Sequence, residues 1–354
     1  MKEMKTSDAL VIGAGIIGLS VARELRRRGL SVLVVEKGEP AREASYAAAG
    51  MLVGSALESP PALHQLAAES ARMYPEFVHE LEDESQTKVD FRQLGTIVLE
   101  SATPGHPSSN TLSDSSLQHL EPHLSATHYR AELLQENSVD PRALGQAALA
   151  ACKHRGVDIS SGDEVEEVEL SHGRVAAIRT AKTTFAAGIV VNCAGAWSGK
   201  IPPSHFPTRP VKGQMLAVAT PAKNLLQHVV RSPDVYLVPR SSGRLLIGAT
   251  VEEAGYDKRT DADTIHRLHR SALEILPALQ DAKVLEDWAR LRPGTPDGLP
   301  ILGPTRVPGY FVATGHFRDG ILLAPVTAKI MGQVICAERP FLEMSNFSAT
   351  RFEK

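Results

Sequence analysis

Cysteine is scarce. Three residues, Cys152, Cys193 and Cys336, are scattered over 354 positions and form no CxxC pair. An odd, dispersed set argues against a disulfide framework and against a thiolate zinc site. It points to a reducing compartment, so a cytoplasmic setting is expected. Excess positive charge is also missing. Lys and Arg number 38 against 41 Asp and Glu, a net charge of −3, which leaves no bulk field to hold nucleic acid. Long hydrophobic runs are missing too. The most apolar stretch near the C-terminus, 321–337, is interrupted by Lys329 and Gln333. A bilayer span needs roughly 20 mostly apolar residues, so no membrane insertion is expected. The start of the chain imitates a signal peptide, with Lys2 and Lys5 before an uncharged run from Ala9 to Ala22. Three glycines cross that run, however, and Arg26, Arg27 and Arg28 stand where a cleavage site should be. No repeat with a period of 20–50 residues is visible.

What is present is a soluble composition, 43% hydrophobic and 22% charged, in a chain long enough for two domains. Residues 8–36 read as strand, turn, helix, strand, about the length a βαβ unit requires. Ala9–Ile12 is an apolar run suited to a buried parallel strand. Ile17, Val21 and Leu25 then recur on one helix face. Arg26–Arg28 complement the helix C-terminus, and Gly29 suits the position after it. A second strand, 31–35, ends at Glu36.

Between strand and helix lies Gly13-Ala14-Gly15-Ile16-Ile17-Gly18, the dinucleotide-binding pattern. Gly13 permits the tight turn, Gly15 lets backbone approach a pyrophosphate, and Gly18 lets the helix pack on the sheet. The positive helix N-terminus, around Ile16 and Ile17, meets the phosphates. Glu36 follows Gly18 by 18 residues, close to the ~20 expected for the acid that binds the ribose hydroxyls. A carboxylate there repels a 2′-phosphate, which disfavours NADP. The pattern does not separate FAD from NAD.

Further along, Pro60-Pro61 precedes a helix reaching about Asp83, and 91–100 reads as one strand. Residues 101–116, rich in Ser, Pro, Gly, Asn and Thr, read as a surface loop. Asp140-Pro141 is an N-cap followed by proline at the first helical position and opens a helix through Lys153. Ser171-His172-Gly173 joins two strands as a hairpin. Strands recur at 188–193, 214–219, 235–238, 245–249 and 310–313, and a helix spans about 262–276. Alternating βαβ segments with a later block of strands predict an α/β domain plus an α+β domain. Similar strand and small-residue signals return near 190 and 315, so both domains are read as discontinuous. The run Ala47-Ala48-Ala49-Gly50 suits either a flat ligand against backbone or plain helix packing. Small residues also end the strand before Ala194-Gly195-Ala196-Trp197. The turn Gly315-His316-Phe317-Arg318-Asp319-Gly320-Ile321 offers backbone N–H groups to electron-rich atoms.

These stretches together resemble the D-amino-acid oxidase superfamily of FAD enzymes, and within it the glycine oxidases of thiamine biosynthesis. The resemblance rests on VIGAGIIGLS (11–20), SYAAAGML (45–52), VDPRAL (139–144), VVNCAGAWSG (190–199), PVKGQML (210–216), YLVPRSSGRLLIGAT (236–250), LRPGTPDGLPILGP (291–304) and GHFRDGILLAPVTA (315–328). They span nearly the whole chain in family order. The resemblance implies an α/β FAD-binding Rossmann-type domain (1–84, 138–212 and 300–354). It also implies an α+β substrate domain with a mainly antiparallel sheet (85–137 and 213–299). It places Ile16 and Ile17 at the phosphates, and Glu36 with Lys37 at the adenosine ribose. Ala44, Ser45, Ala49, Gly50 and Met51 line the pyrophosphate and isoalloxazine. Val165 offers its backbone to the adenine. His316, Phe317, Arg318, Asp319, Gly320, Ile321 and Leu322 wrap the flavin, with His316 in a backbone role. RPGTPDGLPILG holds no cysteine, so FAD is expected to be non-covalent.

A guanidinium presents a planar fork that grips a carboxylate bidentately. The resemblance assigns that role to Arg292, the carboxylate-contacting hydroxyl to Tyr236, and closure from the flavin side to Arg318. It implies oxidative deamination of glycine, sarcosine and small D-amino acids by O2, giving a 2-oxo acid, ammonia and hydrogen peroxide and supplying thiazole synthesis. Two positions depart from the glycine oxidase pattern. Asp234 stands where a histidine is usual, and Val251 where a methionine is. A carboxylate at 234 attracts an amine or repels an acid, and a smaller Val251 enlarges the pocket. The alternatives are a sarcosine or D-amino-acid oxidase, a dehydrogenase of the same superfamily, or an FAD-dependent tRNA-modifying oxidase. The family often forms homotetramers, and no interface is legible here.

Overall fold

The computed structural model describes residues 6–53, 60–101, 109–126, 128–203, 205–222 and 224–352. A six-stranded sheet runs in the order Ile301–Pro304, Tyr310–Thr314, Ile189–Asn192, Ala9–Ile12, Val32–Glu36, Asp158–Ser161. Its strands are parallel except Ile301–Pro304, which pairs antiparallel with Tyr310–Thr314. The side chains of Ala9–Ile12 divide by parity. Ala9 and Val11 enter a core with the helices Ile16–Arg27, His64–Ser85, Pro141–His154 and Ala324–Ile335. Leu10 and Ile12 enter a second core with Val165, Val168, Ile178 and Phe185. Burial on both faces is why this strand reads as an unbroken apolar run.

A seven-stranded sheet follows the order Val284–Gly294, Arg209–Ala219, Arg244–Gly248, Tyr236–Pro239, Val229–Arg231, Thr96–Ser101, Tyr129–Leu134. It is antiparallel except where Val229–Arg231 pairs with Thr96–Ser101. One face packs on the helix Ala262–Ile275 through Leu216, Val218, Leu245 and Ile247 against Ile265 and Leu268. The other face carries Met215, Ala217, Val238, Leu246 and Trp288 onto Ala47 and Ala49. The fold is therefore the α/β nucleotide-binding unit plus α+β unit read from the sequence. Among the described residues no helix is long and apolar enough to cross a membrane.

Several local readings need correction. The segment 91–100 is two strands, Phe91–Arg92 and Thr96–Ser101, because Gly95 turns the chain at φ +98°. The region read as a loop to 116 contains the start of the helix Asp114–Leu120, whose N-cap Ser113 accepts from the Ser116 N–H. Residues 102–108 of that loop lie outside the described set. The strand read as 214–219 begins at Arg209, and Val284–Gly294 forms a further strand that was not read from the sequence. Both carry charged residues and proline, which weaken the period-two signal. The Asp140 cap holds as read, its carboxylate accepting from Arg142 N–H at 2.9 Å. The hairpin turn places His172 at φ +50° and Gly173 at φ +74°, as a type I′ turn requires.

Candidate active site

A cavity of about 1450 Å3 runs from the turn after Ala9–Ile12 to the face of the seven-stranded sheet. Pockets for a single small ligand usually occupy roughly 300–1,000 Å3, so this one has room for a dinucleotide and a second molecule.

At its nucleotide end, Gly13 sits at φ +100°, and an added Cβ would lie 2.6 Å from the Cys193 carbonyl oxygen. A Cβ on Gly18 would lie 1.9 Å from the Gly13 oxygen. Gly18 is therefore a packing glycine, outside the cavity wall, as its place in the motif predicts. The buried Glu36 carboxylate accepts from Ala14 N–H at 2.7 Å through Oε2 and from Gly38 N–H at 2.9 Å through Oε1. Each oxygen keeps a further lone pair for a ribose hydroxyl. Ser45 Oγ accepts from Ile16 N–H at 2.9 Å, leaving the hydroxyl hydrogen for a phosphate oxygen. Lys37 Nζ stands 3.1 Å from the centre of the Trp197 ring, and burial lowers its pKa. Gly15, Ile16, Ile17, Val165 and Trp197 all border this end.

In the middle, the small-residue run is one turn of helix, Ala44–Ala47, followed by extended chain to Met51–Leu52. Helix packing thus accounts for only Ala47 of the run Ala47-Ala48-Ala49-Gly50. The seven-stranded sheet fixes the rest. Trp288 Nε1 donates to the Ala47 carbonyl at 3.1 Å, and Arg240 Nη2 donates to the Ala49 carbonyl. Gly50 takes φ +73°, and a Cβ there would lie 2.0 Å from the Val139 oxygen. Ala44, Ser45, Ala49, Gly50 and Met51 all line the cavity.

At the far end, three predicted residues come together from separate elements. Tyr236 opens the strand Tyr236–Pro239, Arg292 lies near the end of Val284–Gly294, and Arg318 stands in the turn after Tyr310–Thr314. Arg292 Nη1 donates to the Thr250 carbonyl at 3.0 Å. Burial lowers the Arg292 pKa, while the adjacent Tyr236 opposes this. Burial raises the Tyr236 phenol, and the Arg292 and Arg318 charges pull against it. Two glycines that the sequence reading passed over make the room. A Cβ on Gly213 would lie 2.2 Å from Arg292 Nη1, and one on Gly248 would lie 2.8 Å from the Tyr236 hydroxyl. A glycine inside a strand marks such close approaches, and both stood inside or beside segments read as strands.

The turn from His316 to Ile321 lines the same end. His316 is buried, its Nε2 lies 3.1 Å from Thr327 Oγ1, and burial lowers its pKa to about 3. It stays neutral near pH 7, which fits a backbone role. Asp319 is pushed up to about 6 by burial. The Leu322 side chain packs in the core, off the cavity wall, and its carbonyl accepts from Ser70 Oγ. Asp234 and Val251 both border the cavity, and Val251 is 51% exposed. The fit to a flavin dinucleotide can be tested on orphan donors. The N–H groups of Gly320, Ile321 and Leu322 have no partner among the described residues. Such a row matches the electron-rich edge of a flavin.

A family model described as FAD dependent oxidoreductase matches residues 8–334. The glycine oxidase of Pseudomonas aeruginosa is 32% identical over 363 residues, covering 96% of this chain and 97% of that protein. The bifunctional protein ThiO/ThiG of Synechocystis is 35% identical over 359 residues, which cover 98% of this chain but 54% of that protein. The chain thus spans about half the length of that relative. The crystal structure of glycine oxidase from Geobacillus kaustophilus matches with a TM-score of 0.92 at 30% identity, covering 98% of this chain and 99% of that one.

Proposed function

This chain belongs to the FAD-dependent oxidoreductase family, and from that premise we propose that it oxidatively deaminates glycine and other small amino acids. The observation that carries the reading is the half-buried Arg292 guanidinium beside Tyr236, on the wall of the same cavity as the Gly13-x-Gly15-x-x-Gly18 turn. Arg292 grips the substrate carboxylate and Tyr236 adds a hydroxyl contact. That aims Cα–H at the cofactor, and positioning is the chain's main contribution. FAD, when bound, accepts the electron pair and passes it to O2. The neutral amine supplies electron density as Cα–H breaks, so His316 is not needed as a base. The imine hydrolyses to a 2-oxo acid and ammonia, with hydrogen peroxide as the second product. The ThiO/ThiG likeness supports a role in feeding thiazole synthesis.

The same reading proposes 1–84, 138–212 and 300–354 as the FAD-binding domain, 85–137 and 213–299 as the substrate domain, a cytoplasmic setting and a homotetramer. Purified protein should show a flavin absorbance spectrum, and peroxide should appear with glycine. Turnover with an artificial acceptor but no peroxide in air would favour a dehydrogenase. A shift of tRNA at low salt would favour the nucleic-acid alternative.

FAD is expected to be released by acid or heat precipitation, giving a yellow supernatant. Cys193 lies against the Gly13 turn, where burial raises its thiol pKa, and Cys152 is buried in the core. Among the described residues no cysteine lies beside Arg292. Flavin that stays in the pellet would contradict this.

Glycine, sarcosine and D-alanine should all be turned over, and bulky D-amino acids should be poor. The support is Asp234, Tyr236 and Val251 on the wall of one cavity, with Val251 smaller than the usual methionine. A preference for D-phenylalanine in a peroxide assay would refute this view of the pocket.

A further inference from the structure

Two buried hydroxyls on the helix His64–Ser85 take no part in the reading above. Tyr74 and Ser70 are both 0% exposed. Tyr74 donates its phenol proton to the Ile321 carbonyl at 3.0 Å, and Ser70 Oγ donates to the Leu322 carbonyl at 2.6 Å. Both acceptors lie at the end of the turn whose residues His316 to Ile321 border the cavity. The Tyr74 ring itself sits among Phe77 and Phe91, at centroid distances of 5.7 and 6.0 Å. A phenylalanine would fill that space equally well, so the hydroxyl is there for direction. Burial keeps the phenol protonated and hence a donor.

The geometry has a consequence across the peptide plane. A trans peptide holds its C=O and N–H on opposite sides. Fixing the Ile321 carbonyl to the long helix turns the Leu322 N–H away from that helix. Fixing the Leu322 carbonyl does the same to the Leu323 N–H, which Asp319 O accepts at 2.8 Å, closing the turn. The Tyr74 bond therefore sets the direction of the Leu322 N–H and the Ser70 bond anchors the end of the turn, while the N–H groups of Gly320, Ile321 and Leu322 have no partner among the described residues. Donors held in place before charge develops stabilise it more than donors that must reorganise.

We propose that Tyr74 and Ser70 are positioning residues that hold the 316–322 turn as a fixed donor set toward the flavin, and so set how readily the flavin accepts electrons. This rests on the flavin lying at that turn, as read above.

The test uses FAD-loaded Tyr74→Phe, Ser70→Ala and the double variant. Sulfite adds to oxidised flavin and leaves negative charge on it, so its dissociation constant reports the donor set without turnover. Each hydrogen bond lost should raise that constant by about fivefold. The reduction potential should fall in step. For glycine, kcat should fall while KM stays within about twofold, because the carboxylate anchor is untouched. A lowered melting temperature with sulfite affinity, potential and kcat at wild-type values would make both residues core elements only and overturn the proposal. If one variant fails to fold, the other carries the same criteria, since each acts on a different carbonyl. Wild-type protein that binds no flavin would overturn the functional reading and this proposal with it. Wild-type flavin with unchanged variants overturns the proposal alone.

Discussion

Arg292→Ala is expected to lower kcat/KM for glycine by about one and a half to three and a half decades, the ~2–5 kcal/mol typical of truncating one partner of a desolvated charge pair. The guanidinium is half-buried on the cavity wall, with one nitrogen on the Thr250 carbonyl. A carboxylate docked there leaves water, so its charge is compensated only by what the wall supplies. Without the fork, Tyr236 offers a single hydroxyl. Arg292→Lys should recover only part of the loss, because a point charge lacks the planar pair of donors. FAD content should hold, since the contacts proposed for the dinucleotide, at Gly13, Glu36 and Ser45, do not involve Arg292. Steady-state kinetics on glycine and on a simple amine without a carboxylate make the check. Glycine should suffer far more than the amine. Equal losses on both, or wild-type kcat/KM for glycine, would remove Arg292 from the anchor role.

Gly213→Ala should reproduce much of that defect without touching a charged group. The added methyl would stand 2.2 Å from Arg292 Nη1 and 2.5 Å from Cζ. No real contact is that short, so one side must yield. The strand is held by a long antiparallel ladder with Val284–Gly294, whereas the guanidinium ends a flexible side chain. The guanidinium therefore moves, and the carboxylate loses its geometry. A loss of about 2 kcal/mol, more than a decade in kcat/KM for glycine, is expected, at the lower end of outright removal. Stability should change by about 1 kcal/mol or less, because alanine suits a strand better than glycine. The decisive measurement is a double-mutant cycle. If the methyl acts through Arg292, adding Gly213→Ala to Arg292→Ala should cost almost nothing further. Additive losses would show that the glycine serves something else.

The dinucleotide turn was legible because its constraints are local. Gly13, Gly15, Gly18 and Glu36 fall within one βαβ unit at a fixed spacing, and the φ of Gly13 and the Gly18–Gly13 contact are set within that unit, although Gly13 also meets the distant Cys193 carbonyl. The Asp140-Pro141 cap and the His172-Gly173 turn were legible for the same reason. Arg292, Tyr236 and Arg318 were named through family resemblance, since an arginine in a charged, proline-ended strand carries no local mark of burial. Their meeting depends on strand register in one sheet and on a turn from the other, which no short window contains. Tertiary structure alone decided the rest. Gly213 and Gly248 matter only once the register brings them under Arg292 and Tyr236. The Tyr74 hydroxyl finds its acceptor 247 residues away. The Leu322 side chain, last in a turn that otherwise borders the cavity, packs in the core, and its carbonyl is held by Ser70 across 252 residues. A local sequence specifies what its own backbone can do, but which side chains share a desolvated space follows from packing between elements that are distant along the chain.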